Sequence, residues 1–131
     1  MRPLKLYLYR EGIVRFSSDR YDCASLKNHF SHLTNTSINK NATASMSCAY
    51  GSGIKWTFEA LRKYFLDNGM PWDLIWVKIE ILIIATCITL CQLVPDLECC
   101  MELLGFDVIL DKDLKPWLLE VNGTPAMAMD G

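Results

Sequence analysis

The chain has 131 residues, the length of one ordinary domain, and it is 51% hydrophobic with four Trp. That content excludes wholesale disorder, and a formal net charge of −2 gives no electrostatic case for nucleic acid. Met1-Arg-Pro-Leu-Lys5 lacks the apolar run and small-residue cleavage site of a signal peptide.

Leu4-Lys-Leu-Tyr-Leu-Tyr9 alternates apolar with other residues, Arg10-Glu-Gly12 supplies a turn, and Ile13-Val-Arg-Phe16 returns. This pattern predicts a hairpin with Gly12 at its turn. On pattern alone Arg15 is a solvated charge on its rim. Residues 17–50 are polar and rich in Ser, Asn and Thr, which predicts little regular structure. His29 and His32 are three apart but lack a third ligand of matching type nearby. Thr34 and Asn35 are ordinary loop residues by composition.

Gly51-Ser-Gly53 lacks the spacing and Lys-Ser/Thr ending of a phosphate loop and reads as a flexible lead into a helix. That helix runs from Trp56 to Leu66, with Trp56, Phe58, Leu61, Tyr64 and Phe65 at helical intervals and most of these aromatics expected in the core. Asn68-Gly69 stops it, and Pro71 follows. Trp72 to Val94 is the most apolar stretch. Its uncharged part, Ile81 to Val94, falls short of the ~20 residues that span a bilayer. The expectation is a buried central helix ending at Pro95-Asp96, with a membrane-associated segment as a minor alternative. Cys23, Cys48, Cys87, Cys91, Cys99 and Cys100 show no Cys-x-x-Cys spacing and read as reduced thiols of a cytosolic protein, mostly core-filling. The tail 123–131 reads as loop.

The chemistry concentrates in Gly105 to Asn122. Phe106, Val108 and Leu110 alternate with Asp107, Ile109 and Asp111, and Lys115 to Asn122 is again extended, so the segment reads as a second hairpin. A two-residue Lys112-Asp113 loop would set Asp107 against Leu118 and diagonal to Glu120. Glu120 and Asn122 share a face, and a diagonal of roughly 7–8 Å lets both carboxylates reach one cation. Two carboxylates and an amide oxygen form the partial hard-ligand set that magnesium uses when phosphates complete its shell. Val108, Ile109, Leu118, Leu119 and Val121 make both strands apolar on both faces, the pattern of a buried sheet in which a carboxylate is costly unless paired or metal-bound. The competing reading is a surface hairpin with solvated acids.

These residues resemble the tubulin–tyrosine ligase-like family, close to its polyglutamylase branch. The resemblance rests on Leu103-Leu-Gly-Phe-Asp107-Val-Ile-Leu-Asp111 and on Lys115-Pro-Trp-Leu-Leu-Glu120-Val-Asn122-Gly-Thr-Pro-Ala126. Three further stretches agree, in the family's order: Tyr7 to Phe16, His32-Leu-Thr-Asn35 to Lys40, and Gly51-Ser-Gly-Ile-Lys55-Trp-Thr57. The implied fold is α+β, a partial ATP-grasp fold with an antiparallel sheet and packed helices, in which residues 1–131 form the C-terminal lobe only. The implied activity is ATP-dependent addition of free glutamate to glutamate side chains of tubulin through an acyl phosphate.

By motif match, Asp107, Glu120 and Asn122 fall on the family's magnesium positions, with Leu119, Glu120 and Asn122 at the nucleotide. His32, Leu33, Thr34 and Asn35 fall on the segment near the ATP phosphates and reacting carboxylates, and Arg15 on a basic position that engages substrate carboxylate. The implied cofactors are ATP and Mg2+, and the implied partners are tubulin and microtubules in the cytoplasm, including the cilium or basal body, without nucleic acid or membrane. The family's N-terminal and central domains, with the lysines that hold the α and β phosphates, would precede Arg2, and residues 41–50 look like a shortened connection. The alternative is therefore a truncated, catalytically inactive relative that acts as an interaction module or has no function.

Overall fold

The computed structural model describes residues 4–17, 19, 21, 34, 47–48, 51–52, 55–93 and 101–125. In chain order these carry β1 (Ile13–Arg15), β2 (Ser47–Cys48), β3 (Gly51–Ser52), β4 (Lys55–Thr57), α1 (Phe58–Asp67), α2 (Trp72–Cys91), β5 (Gly105–Leu110) and β6 (Pro116–Asn122). Among the described residues the class is α+β, with three two-stranded antiparallel sheets, β1–β4, β2–β3 and β5–β6. Residues 8–70 form one compact unit; residues 1–7 and 71–131 form the other.

The expected hairpin between Leu4–Tyr9 and Ile13–Phe16 does not form. β1 pairs instead with β4, with Val14 opposite Trp56. Tyr7 and Tyr9 are exposed, so the alternation before Gly12 has no covered face to fill. Pairing with β4 sets Val14 beside a buried indole that meets Phe16 edge-on at 4.8 Å and Tyr64 at 5.8 Å. Gly12 is not a hairpin turn. It receives the first helical residue: Phe58 N–H donates to the Gly12 carbonyl at 3.2 Å, and a Cβ on Gly12 would lie 2.6 Å from the Phe58 ring. Gly51–Ser52 is likewise a short strand paired with Ser47–Cys48, not a free lead-in.

Helix α1 starts two residues later than its aromatic pattern predicts. Thr57 has extended backbone angles, and its hydroxyl accepts from Ala60 N–H at 3.1 Å, which satisfies one of the orphan donors of the first turn. Trp56 is thereby left to the strand. The stop is as expected. Gly69 takes φ +68°, its N–H donates to the Leu66 carbonyl at 3.1 Å, and Met70 N–H donates to Phe65 at 2.8 Å. This pair of bonds closes the helix through a left-handed residue that glycine adopts without a Cβ penalty. Leu61 and Phe65 bury the helix's apolar stripe with Trp56.

In the second unit, α2 packs on β6. The expected burial of α2 is not observed. Trp72, Ile75 and Cys87 are buried, whereas Leu74, Val77, Ile81, Ile84 and Ile88 are exposed. The helix is apolar all round, and a two-stranded sheet covers one side of such a cylinder. Its 20 residues are long and apolar enough to cross a membrane by length and composition, with Lys78 and Glu80 inside the span. Trp76 Nε1–H donates to Glu80 at 2.6 Å, and the Thr86 and Thr89 hydroxyls donate to carbonyls one turn back. Cys87 and Cys91 are free thiols; burial, and then the neighbouring Cys91, push the Cys87 thiol up from its ordinary value.

The β5–β6 hairpin differs in register from the two-residue-loop expectation. Asp111 N–H donates to the Lys115 carbonyl at 3.0 Å and Leu114 N–H to the Asp111 carbonyl at 3.0 Å, so the loop is Lys112-Asp113-Leu114. Leu114 has φ +58°, the left-handed closing position of a three-residue hairpin loop. A second irregularity lies between Asp107 and Val108, where Val108 pairs with Leu118 and Asp107 with Glu120, leaving Leu119 as the extra residue of a bulge. Phe106, Val108, Leu110, Leu118 and Val121 are half-buried and Pro116 is buried, while Asp107, Ile109, Trp117, Leu119, Glu120 and Asn122 are exposed. The sheet is therefore covered on one face only. The expectation of strands buried on both faces fails because α2 covers one face of the sheet, while Ile109 and Trp117 on the other face stay exposed.

Two substitutions test these local devices. Thr57→Ala is expected to cost about 1 kcal/mol and Thr57→Ser much less, by loss or retention of the cap; equal chemical denaturation curves would rule the cap out. At Leu114, Asn tolerates the left-handed backbone and Ile does not. Leu114→Asn should unfold at higher urea than Leu114→Ile, by on the order of 1 kcal/mol, and the reverse order would contradict the loop geometry.

Candidate cation and nucleotide site

The hairpin brings together four of the residues singled out from sequence. Asp107 lies directly opposite Glu120, not diagonal to it, and Asn122 lies two residues further along the same strand, opposite Gly105. All three acquire one face from strand periodicity, and that face is exposed. Directly opposed side chains stand about 4.5–5.5 Å apart at Cβ, closer than the diagonal expected from a two-residue loop. Asn122 Nδ2 donates to Glu120 Oε1 at 3.2 Å, so amide and carboxylate form one polar cluster. Leu119, exposed at the bulge, borders it.

The electrostatics of this arrangement favour a cation. Like charges directly opposed across a pair of strands repel and weaken the pairing. A divalent ion between them converts that repulsion into attraction. The donor set, two carboxylates and an amide, consists of hard oxygen ligands of the type magnesium uses while retaining positions for phosphate oxygens. Among the described residues there is no group of three or more His, Cys, Asp and Glu side chains poised to hold a metal, so the hairpin offers a partial shell. Exposure of Asp107 and Glu120 replaces the expected reason for a cation, burial of the acids, with their direct opposition.

Asp111, which the sequence reading left outside the site, organises the hairpin end. Its Oδ1 accepts from Asp113 N–H at 2.9 Å and Lys115 N–H at 3.0 Å, and its Oδ2 accepts from Trp117 Nε1–H at 2.8 Å. The Trp117 hydrogen bond first, then that from Lys115 N–H, holds its carboxyl below the ordinary aspartate value. Lys115 Nζ sits 3.8 Å from the Trp117 ring centroid. An Asp at the first position of a turn, ready to accept from the backbone two residues on, was the available signal.

The remaining candidates lie in the unit of residues 8–70. Arg15 is exposed on β1 and faces Lys55 across the pair with β4, which makes two cations directly opposed. Thr34 is half-buried, and His32, Leu33 and Asn35 lie outside the described residues.

Known proteins agree with the motifs. The chain is 41% identical over 131 residues to human "Probable tubulin polyglutamylase TTLL2", covering 98% of this chain and 22% of that protein. It is 42% identical over 142 aligned positions to mouse "Tubulin polyglutamylase TTLL5", covering 98% of this chain and 11% of that protein. Mouse "Tubulin monoglutamylase TTLL4" is 41% identical over 138 positions, with 95% of this chain and 12% of that protein covered. The chain thus spans less than a quarter of the length of these relatives. The model of the tubulin-tyrosine ligase family matches residues 1–131, and the chain belongs to that family.

Proposed function

We propose that this chain forms the magnesium-binding, C-terminal part of an ATP-grasp ligase that joins glutamate to glutamate side chains of tubulin. The observation that carries the reading is the direct opposition of Asp107 and Glu120, with Asn122 beside them, in a chain of this family. The names of the relatives support tubulin as the acceptor and glutamate as the group added.

In this reaction the acceptor's side-chain carboxylate takes the γ-phosphoryl group of ATP, releasing ADP. The amine of free glutamate then attacks the acyl carbon, phosphate leaves, and an amide forms. Asp107, Glu120 and Asn122 would hold Mg2+, which when bound neutralises charge on the transferring phosphoryl group. The family motif assigns Leu119 to the nucleotide, beside these three residues. Arg15 offers positive charge to a substrate carboxylate, and the family motif assigns His32, Thr34 and Asn35 to the phosphates and reacting carboxylates.

A second reading, a non-catalytic interaction module, draws on the exposed Leu74, Val77, Ile81, Ile84 and Ile88 of α2. Glutamate transfer separates the two readings.

In a radiolabelled-glutamate assay on microtubules with the enzyme that carries this sequence, Glu120→Gln should lower kcat on the order of 100-fold or more, the scale for losing one preorganised charge-stabilising group. Retained transfer would sink the cation assignment. Arg15→Ala should chiefly raise the KM for the tubulin acceptor, with a smaller loss in kcat. An unchanged acceptor KM would remove Arg15 from the substrate site.

A further inference from the structure

We propose that Asp111 is a positioning residue for the cation pair: by bridging the hairpin loop to β6 it fixes the loop register that, together with the bulge at Leu119, sets Asp107 opposite Glu120. This inference rests on the cation reading of that pair.

Two lengths are open to the sequence Leu110 to Pro116, and they differ by one residue in register. A two-residue loop pairs Asp111 with Leu114; the observed three-residue loop pairs it with Lys115 through the 3.0 Å bond from Asp111 N–H. Because side chains alternate with period two, a slip of one residue at the loop, with the Leu119 bulge kept, removes Glu120 from the position opposite Asp107 and turns the strand's faces over. The loop's own residues do not favour the observed form, since Leu114 must adopt φ +58°.

The Asp111 carboxylate supplies what the loop lacks. One oxygen takes the N–H groups of Asp113 and Lys115, which defines the turn, and the other takes the indole N–H of Trp117. Trp117 faces Ile109 across the strands, so the carboxylate ties the loop to a residue already in the ladder. With the two-residue loop, Lys115 and Trp117 would be displaced by one position relative to Asp111. The three acceptor contacts therefore exist together in the observed register. Asp111 touches neither Asp107 nor Glu120 in any of these bonds and acts through the backbone between them.

The test uses the full chain and Mn2+ as the probe. Cross-strand nuclear Overhauser contacts report the register, and Mn2+ affinity is read from the electron paramagnetic resonance of the free ion. Wild type should show the Asp107–Glu120 contact. Asp111→Ala should lose it and bind Mn2+ about tenfold or more weakly, as for loss of a residue that supports metal ligands. Asp111→Asn, which keeps one oxygen acceptor, should fall between the two. If Asp111→Ala does not fold, Asp111→Asn and Trp117→Phe decide: a weakened contact in both supports the proposal, and wild-type register in both overturns it. Retention by Asp111→Ala of the contact and of Mn2+ affinity within about twofold also overturns it. Glu120→Gln serves as the control. If it binds Mn2+ like wild type, the cation reading fails, while the register contacts still judge Asp111.

Discussion

Two carboxylates directly opposed across a hairpin repel each other, and a divalent cation suits the place between them. Asp107 and Glu120 are held in that relation by the β5–β6 register, and Asn122 adds an amide to the same face. The candidate function depends on this constraint. A bulge at Leu119 and a left-handed Leu114 both bend local backbone preference to maintain it. Neither feature is what sheet stability alone would select, because a bulge interrupts the ladder and a leucine resists positive φ. Local conflict of that kind concentrates where a site demands a geometry.

The second unit is covered on one side of its sheet and exposes much of its helix. α2 presents Leu74, Val77, Ile81, Ile84 and Ile88 outward, and β5–β6 presents Ile109, Trp117 and Leu119 beside the acids. Packing on β6 leaves both surfaces in contact with solvent. The acid face can therefore be approached by a charged ligand, which a sheet buried on both sides would not permit. In the first unit, by contrast, Trp56 gathers Phe16 and Tyr64 around one buried ring, and the short β1–β4 pair is held by that aromatic packing.

Much of the local structure was legible in the sequence. Asn68-Gly69 marked the end of α1, and the alternation at Phe106 to Leu110 marked a strand. The family could be recognised because its motifs place rare combinations, such as Trp-Leu-Leu-Glu-x-Asn, in a fixed order. What stayed hidden was set by interactions between residues far apart or by backbone angles. The partner of β1 lies some forty residues away in β4, and only the burial of Trp56 distinguishes it from the nearer Leu4–Tyr9. The loop length turned on whether Leu114 accepts a left-handed conformation, which composition argues against. The burial of α2 depended on how much surface its neighbours could cover, and apolarity all round does not give that. Spacing singles out Asp107, Glu120 and Asn122; the direct opposition of Asp107 and Glu120 comes from the three-residue loop together with the bulge.

The most direct test of the Asp107–Glu120 pair is amide hydrogen exchange of Phe106 and Val121, which flank it, with and without Mg2+. Repulsion relieved by a bound cation should slow exchange at both amides on adding Mg2+. Asp107→Asn should already exchange slowly without the ion and respond little to it, because neutralising one carboxylate relieves the same repulsion. Exchange that ignores Mg2+ in the wild-type chain, or that responds equally in Asp107→Asn, would contradict a cation held between the two carboxylates.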